Sequence, residues 1–322
     1  MPTGPPQALA SAPGTGRGVP GDQDAKTWGH AVTDLELAYE ECRSITRREA
    51  KNFYYAFITL PAARRRAIYV AYAFCRHCDD SVDREDSMTE KLSTLGGLHR
   101  GLEQTYSGHA NEPVFMALAD VAERYDIPQK YFREVLAGVE SDLVKNRYED
   151  FDQLRRYCYQ VASVVGLICL QIFGYKDAAA KDHAIDLGLA MQLTNIARDV
   201  REDLELGRIY LPQDEMARFG YSEEELQAGV VNEPFTELMR FQTQRARRYF
   251  RSGFQLLPYL SSRSRACPAV LGRLYHKVLD RIEDAGYDVL HHRIALSKPE
   301  KVRVTAQTWL ASVLPLLSSK GG

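Results

Sequence analysis

The 322-residue chain carries 41 Lys and Arg against 43 Asp and Glu, a formal charge of −2. This excludes a global electrostatic case for nucleic-acid binding and requires any affinity for phosphates to be local. Hydrophobic residues make up 45% and charged residues 26%, enough to bury a sizeable core in one large domain or two smaller ones.

Residues 1–30 hold five of the 14 prolines together with several glycines, and read as a disordered tail rather than a secretory signal. Residues 31–322 read as a single all-α domain. Within it the 3.6-residue period predicts helices over 33–48, 50–57, 62–84, 87–105, 112–124 and 128–144. Further helices are expected over 150–173, 178–205, 221–227, 234–259, 262–286 and 298–317. Pro61, Gly108 with Pro113, Pro128, Gly174, Gly207, Gly220 and Pro234 separate them. Strand-like alternation is nearly absent, no internal repeat recurs at a fixed period, and no run of about 18 apolar residues marks a membrane-spanning helix.

The six cysteines do not form a disulfide framework in a chain this long. Cys75-Arg-His-Cys78 is a C-x-x-C, but no second ligand pair follows for zinc and no βαβ context surrounds it. These thiols read as buried or helix-surface groups in a reducing compartment.

Two acidic stripes stand out on otherwise apolar helices. In the first, Asp79 and Asp83 stack four residues apart beside Asp80, with Arg76 and Tyr72 one and two turns earlier. In the second, Asn195, Asp199 and Asp203 fall at i, i+4 and i+8, with Gln192 one turn before and Arg198 and Arg201 alongside. Carboxylates at this spacing repel, and inside a bundle the penalty grows unless a cation lies between them. Oxygen ligands without a Cys/His set suit a hard cation, Mg²⁺ or Mn²⁺. One such stripe alone is more often a solvated helix face; two on apolar helices argue for a site.

At these residues the chain resembles the squalene/phytoene synthase family, from about Ser44 to Thr305. The resemblance rests on the order of several weak motifs. They are Asn52-Phe-Tyr-Tyr, Leu60-Pro61, Tyr72-Ala-Phe-Cys-Arg76, Asp79-Asp-Ser-Val-Asp83, Tyr157-Cys-Tyr and Val161-Ala-Ser-Val-Val-Gly166. Gln192-Leu-Thr-Asn-Ile-Ala-Arg-Asp199, Gly207-Arg-Ile-Tyr-Leu-Pro212 and the stretch from Leu274-Tyr275 to Gly286-Tyr-Asp288 follow. The resemblance implies the isoprenoid-synthase bundle with a central cavity. It implies a Mg²⁺-diphosphate site of Asp79, Asp80 and Asp83 facing Asn195, Asp199 and Asp203. Lys51, Arg76 and Arg198 would neutralise diphosphate oxygens, while Tyr72, Tyr157, Gln192 and Tyr275 would lie near the reacting carbons.

Three departures accompany it: Glu49-Ala50 precedes Lys51 in place of a His-Ser pair, Ser163 replaces a glycine, and Arg201 stands where glycine is frequent. The implied activity is head-to-head condensation of two prenyl diphosphates through a cyclopropylcarbinyl diphosphate. Phe53, Tyr54, Val164, Val165, Leu167 and Leu170 are candidate cavity walls, although each is as readily an ordinary core residue. Local residues tilt the substrate towards farnesyl diphosphate and a presqualene or squalene product, with phytoene formation from geranylgeranyl diphosphate as the alternative. No Gly-rich fingerprint decides for or against NADPH. A cytoplasmic enzyme touching a membrane peripherally is expected, with the basic run Arg245, Arg247 and Arg248 beside Tyr249 and Phe250 as a candidate contact. Head-to-tail prenyltransferases and class I terpene cyclases share Asp-rich motifs but fit the ordered motifs poorly. A non-catalytic assembly protein of the same fold would be expected to have lost the ligands retained here.

Overall fold

A computed structural model describes residues 23–50, 53–83 and 87–318, with side chains for 34–50, 53–82 and 87–312. Within it the chain folds as a bundle of helices without strands among the described residues; one isolated bridge joins Tyr175 to Leu260. The helices are α1 Gln23–Glu49, α2 Phe53–Phe57, α3 Ala62–Asp83, α4 Met88–Ser107, α5 Pro113–Arg124, α6 Gln129–Ser141, α7 Phe151–Cys158 and α8 Val164–Phe173. Then come α9 Ala180–Arg198, α10 Val200–Glu205, α11 Gln213–Phe219, α12 Glu223–Gln227, α13 Glu233–Gly253, α14 Ser262–Asp284 and α15 Lys298–Ser318. The tail reading for 1–30 falls outside the described residues as far as residue 22, and α1 already runs from Gln23.

Local chemistry sets many boundaries. Ser87 and Glu90 close a capping box on α4, and Ser222 and Glu225 do the same on α12. Pro113 opens α5, where its missing N–H costs nothing. Gly108 ends α4 at φ +79°, a left-handed position that glycine takes without a Cβ penalty.

Four differences from the periodicity have physical causes. The expected helix 150–173 is α7 and α8 joined by a π turn at Tyr159–Ser163. That 23-residue run is long and apolar enough to cross a membrane by length and composition, but half of its most apolar window is buried inside the bundle. The expected helix 178–205 breaks at Asp199, whose φ −101° and ψ 20° leave the helical well. The last turns of 234–259 tighten into a 3₁₀ segment, Phe254–Tyr259, carrying Pro258. Helix α11 follows Pro212 but is too short, at seven residues, for its period to show.

Around the cavity, α3 packs on α1, α5, α6 and α8, while α9 packs on α8, α13 and α14. The α7–α8 π turn and α9 approach until backbones touch. A Cβ on Gly188 would lie 2.7 Å from the carbonyl oxygen of Ala162 and from Cα of Ser163. Ser163 therefore does not intrude on the cavity; its hydroxyl donates to the carbonyl of Ile185 at 2.8 Å and pins the π turn to α9.

The basic run on α13 is not a membrane patch. Arg245 is buried, its guanidinium donating to the Glu215 carboxylate and to Gln242 at 3.0 Å while lying 3.8 Å from the Phe151 ring centroid. Arg247 binds Asp280 at 2.8 Å and Glu283 at 2.9 Å, and Phe250 is core. Only Arg248 is exposed. The sequence showed the charges but not the carboxylates that other helices bring to them. Removing one partner of a buried pair strands the other. Arg245→Ala is expected to lose about 3–5 kcal/mol in urea unfolding. The double variant Arg245→Met/Glu215→Leu should recover most of it.

Candidate active site

A cavity of about 460 Å³ runs between α3, the α7–α8 segment, α9 and α14. From Ile68 to Asp79 on α3, and from Ala184 to Asn195 on α9, its walls extend three helical turns, about 16 Å. One end is apolar, with Ile68, Phe173, Ala184, Leu256 and Pro268. The other carries Arg76, Asp79, Asp142, Tyr157, Gln192 and Asn195, with Tyr72 and Tyr275 between the two.

Of the residues singled out in the sequence, the fold thus brings Tyr72, Arg76, Asp79, Tyr157, Gln192, Asn195 and Tyr275 to one cavity. Asp80 forms an ion pair with Arg76 one turn back along α3. Lys51 and the side chain of Asp83 lie outside the described residues. Asp199 and Arg198 sit just beyond the cavity lining. Neighbours in sequence do not face each other on a regular helix. The break at Asp199 lets this pair meet, with Arg198 Nε donating to Asp199 Oδ1 at 2.6 Å. The ladder nonetheless continues across the break: Asp199 N–H donates to the Asn195 carbonyl and Asp203 N–H to the Asp199 carbonyl, both at 2.8 Å. The oxygen-bearing stripe of the second motif is thereby kept on one side. Asp203 occupies an adjoining crevice with Arg208 and Tyr210.

Among the walls expected from sequence, Phe53 and Val165 line the cavity. Tyr54 instead stacks on Tyr69, and Val164, Leu167 and Leu170 are core. Periodicity identified an apolar helix but not which stripe faced the void. Arg201 also stays outside, bonding Glu205 at 3.1 Å and the Leu290 carbonyl at 3.0 Å. Cys75, within the C-x-x-C, lines the cavity as a free thiol and Cys78 is buried and free.

The residue that sequence reasoning missed is Asp142. The expected helix 128–144 runs through it, yet α6 ends at Ser141 and the cap position turns this carboxylate to the cavity. The hydroxyls of Tyr157 and Tyr210 each donate to it at 3.0 Å. The rings of Tyr148, Tyr157 and Tyr210 pack with centroids 5.2–5.7 Å apart. Burial, reinforced by Asp142, raises the Tyr157 phenol far above its ordinary range, so it remains a donor. Burial also pushes Tyr72 up to about 12.

Two polar atoms are buried without partners at this end: Asn195 Oδ1, an acceptor, and Arg76 Nε, a donor. An orphaned acceptor suits a cation and an orphaned donor an anion, and both side chains line the same cavity. Among the described residues no three carboxylate, His or Cys side chains converge on a preformed metal cluster. The donor set therefore fits a cation that shares its coordination with a bound anion.

Fold and site together define an all-α prenyltransferase. The profile of the squalene/phytoene synthase family matches residues 46–300, and the chain belongs to that family, whose members condense prenyl diphosphates head to head. It is 39% identical over 275 residues to the 15-cis-phytoene synthase of Synechococcus elongatus, covering 82% of this chain and 89% of the relative. It is 41% identical over 269 residues to the phytoene synthase of Arthrospira platensis, covering 80% and 87%. The crystal structure of a dehydrosqualene synthase in complex with ligand superposes with a TM-score of 0.81 at 30% identity, covering 89% of this chain and 99% of that one.

Asp203 supplies a pH test. Burial, then the Asp199 carboxylate, raises its pKa from 3.8 to about 7, with Arg208 opposing. A carboxyl with a raised folded pKa resists ionisation when folded, so stability falls as pH rises between the unfolded and folded values. The metal-free protein is expected to lose thermal stability from about pH 4 to about pH 7, and Asp203→Asn to flatten that decline. Melting temperature against pH checks it.

Proposed function

We propose that the chain condenses two geranylgeranyl diphosphates into phytoene by way of a cyclopropylcarbinyl diphosphate, with Mg²⁺ as the metal. The observation that carries the C20 assignment is that the curated relatives, at 39% and 41% identity over four-fifths of this chain, are phytoene synthases. This favours the alternative reading of the sequence over farnesyl diphosphate and squalene. A cavity about 16 Å long, polar at one end and apolar at the other, supports an extended prenyl tail anchored by its diphosphate.

Asp79, Asp80 and Asp83 on α3, with Asn195, Asp199 and Asp203 across α9 and α10, are the residues that would hold Mg²⁺. Mg²⁺ there would supply positive charge to the diphosphate oxygens as the allylic C–O bond weakens. Arg76, whose Nε is buried without a partner, would donate to the same oxygens in a charge-assisted bond. Arg198, paired with Asp199 beyond the cavity lining, would serve as a second cation. The cavity walls hold the second prenyl chain against the first, supplying proximity. Phe53, Phe57, Tyr72 and Tyr275 line the cavity as a contacting aromatic group that would shield a carbocation from water. Tyr157 is held protonated, and its one O–H is committed to Asp142, which fixes the ring at the polar end.

Incubation with Mg²⁺ and either geranylgeranyl or farnesyl diphosphate, with and without NADPH, followed by mass spectrometry, tests the assignment. A C40 hydrocarbon formed without NADPH is expected; a C30 product alone would return the squalene reading. Asp79→Ala and Asp199→Ala should each lower turnover by about 10²–10³-fold, as loss of one group stabilising developing charge does. Identical rates for these variants and the parent protein would overturn the assigned site.

A further inference from the structure

We infer that Asp142, acting through Tyr157, takes up the proton lost as the cyclopropane ring closes. The inference rests on the condensation proposed above and assigns a residue to a step that the two acidic stripes do not serve. In that step C1 of one prenyl chain, freed of its diphosphate, bonds to C2 of the other and leaves a cation at C3 of that second chain. One C–H bond at the former C1 then breaks, its electron pair forms the bond to C3 that completes the ring, and the proton passes to a base. The carbon that loses it carried the diphosphate, so the base has to stand at the polar end of the cavity.

Two residues that line that end, Tyr157 and Asp142, are assigned neither to metal nor to diphosphate. Tyr157 donates its one proton to Asp142 Oδ2 and Tyr210 donates its own to Oδ1, both at 3.0 Å. The two phenol oxygens lie 3.2 Å apart. With both protons given to the carboxylate, Tyr157 has only oxygen lone pairs left for a proton arriving from the cavity. Its ring is fixed in place by those of Tyr148 and Tyr210, whose centroids lie 5.4 and 5.2 Å from its own.

Burial, reinforced by Asp142, keeps the Tyr157 phenol far above its ordinary range, so the base is not a phenolate. A neutral phenol takes a proton well only if it releases its own at the same moment, and Asp142 is the outlet for it. The transfer balances: a proton leaves C1, Tyr157 Oη gains it while passing its own to Asp142 Oδ2, and the phenol ends as it began. A cation and a carboxylate are both discharged, inside a low-dielectric cavity where isolated charges are most costly. Tyr157 is the group that touches substrate, and Asp142 is the acceptor behind it.

The test measures consumption of geranylgeranyl diphosphate, with hydrogen or with deuterium at C1, by the full chain and its variants in Mg²⁺. Asp142→Asn keeps the size of the side chain but cannot take up a proton, and Tyr157→Phe removes the relaying oxygen. Each is expected to lower kcat by about 10²-fold with KM little changed, as loss of a general base does. Each should also raise the deuterium isotope effect above the parent's, because C–H cleavage becomes the slow step. The double variant should be no slower than the slower single one, since the two residues act as a unit. Tyr210→Phe, which spares the bond between Tyr157 and Asp142, should leave the isotope effect at the parent's value. Melting temperatures establish that each variant is folded, and Tyr157→Phe carries the same prediction should Asp142→Asn fail to fold. Parent-like rates, or slow variants whose isotope effect stays at the parent's value, would overturn the inference; the latter would point to a structural role or to the released diphosphate as base. A parent that consumes farnesyl diphosphate instead is put through the same comparison with that substrate deuterated at C1. A parent that condenses neither diphosphate would overturn the activity itself, so the two failures are told apart.

Discussion

The structure depends on gathering carboxylates at one end of an apolar bundle. Asp142 and Asp79 face the cavity, and Asp199 and Asp203 follow just outside it. Burial, and then the neighbouring Asp199 carboxylate, raise the pKa of Asp203. Arg76 and Arg198 offset part of the charge through Asp80 and Asp199, and tyrosine hydroxyls share Asp142. What they leave unmatched is the Asn195 oxygen and the Arg76 Nε, the two atoms proposed above as partners of a metal-bound diphosphate.

The remainder of the fold sets these groups at one end of a cavity whose other end is apolar. Close approach of the π turn to α9 requires glycine at 188 and uses the Ser163 hydroxyl as a tie. A π turn inside an α-helix displaces the side chains that follow it around the helix, a device often found beside functional sites. Here it divides Tyr157, which reaches Asp142, from Val165, which also lines the cavity.

Much of this was legible in the sequence. The two acidic stripes, the helices bearing them and the aromatic residues Tyr72, Tyr157 and Tyr275 follow from spacing and resemblance, because i, i+4 geometry is a local property. What the sequence concealed depends on distant partners. Asp142 sits at a helix end one turn earlier than periodicity placed it, and its role is set by Tyr157 and Tyr210. Arg245 looked like surface charge until α11, too short to predict, brought Glu215 to it. The walls divided similarly: Val165 faces the void and its neighbour Val164 the core, which a run of apolar residues cannot tell apart.

A crystal structure with Mn²⁺ and a non-hydrolysable geranylgeranyl diphosphate analogue tests the central claim most directly, because Mn²⁺ scatters anomalously. The account predicts Mn²⁺ between the diphosphate and the oxygens of Asp79, Asn195 and Asp199, a diphosphate oxygen on Arg76 Nε, and the tail running towards Phe173. A diphosphate bound elsewhere, or bound in this cavity with no metal at those oxygens, would contradict it.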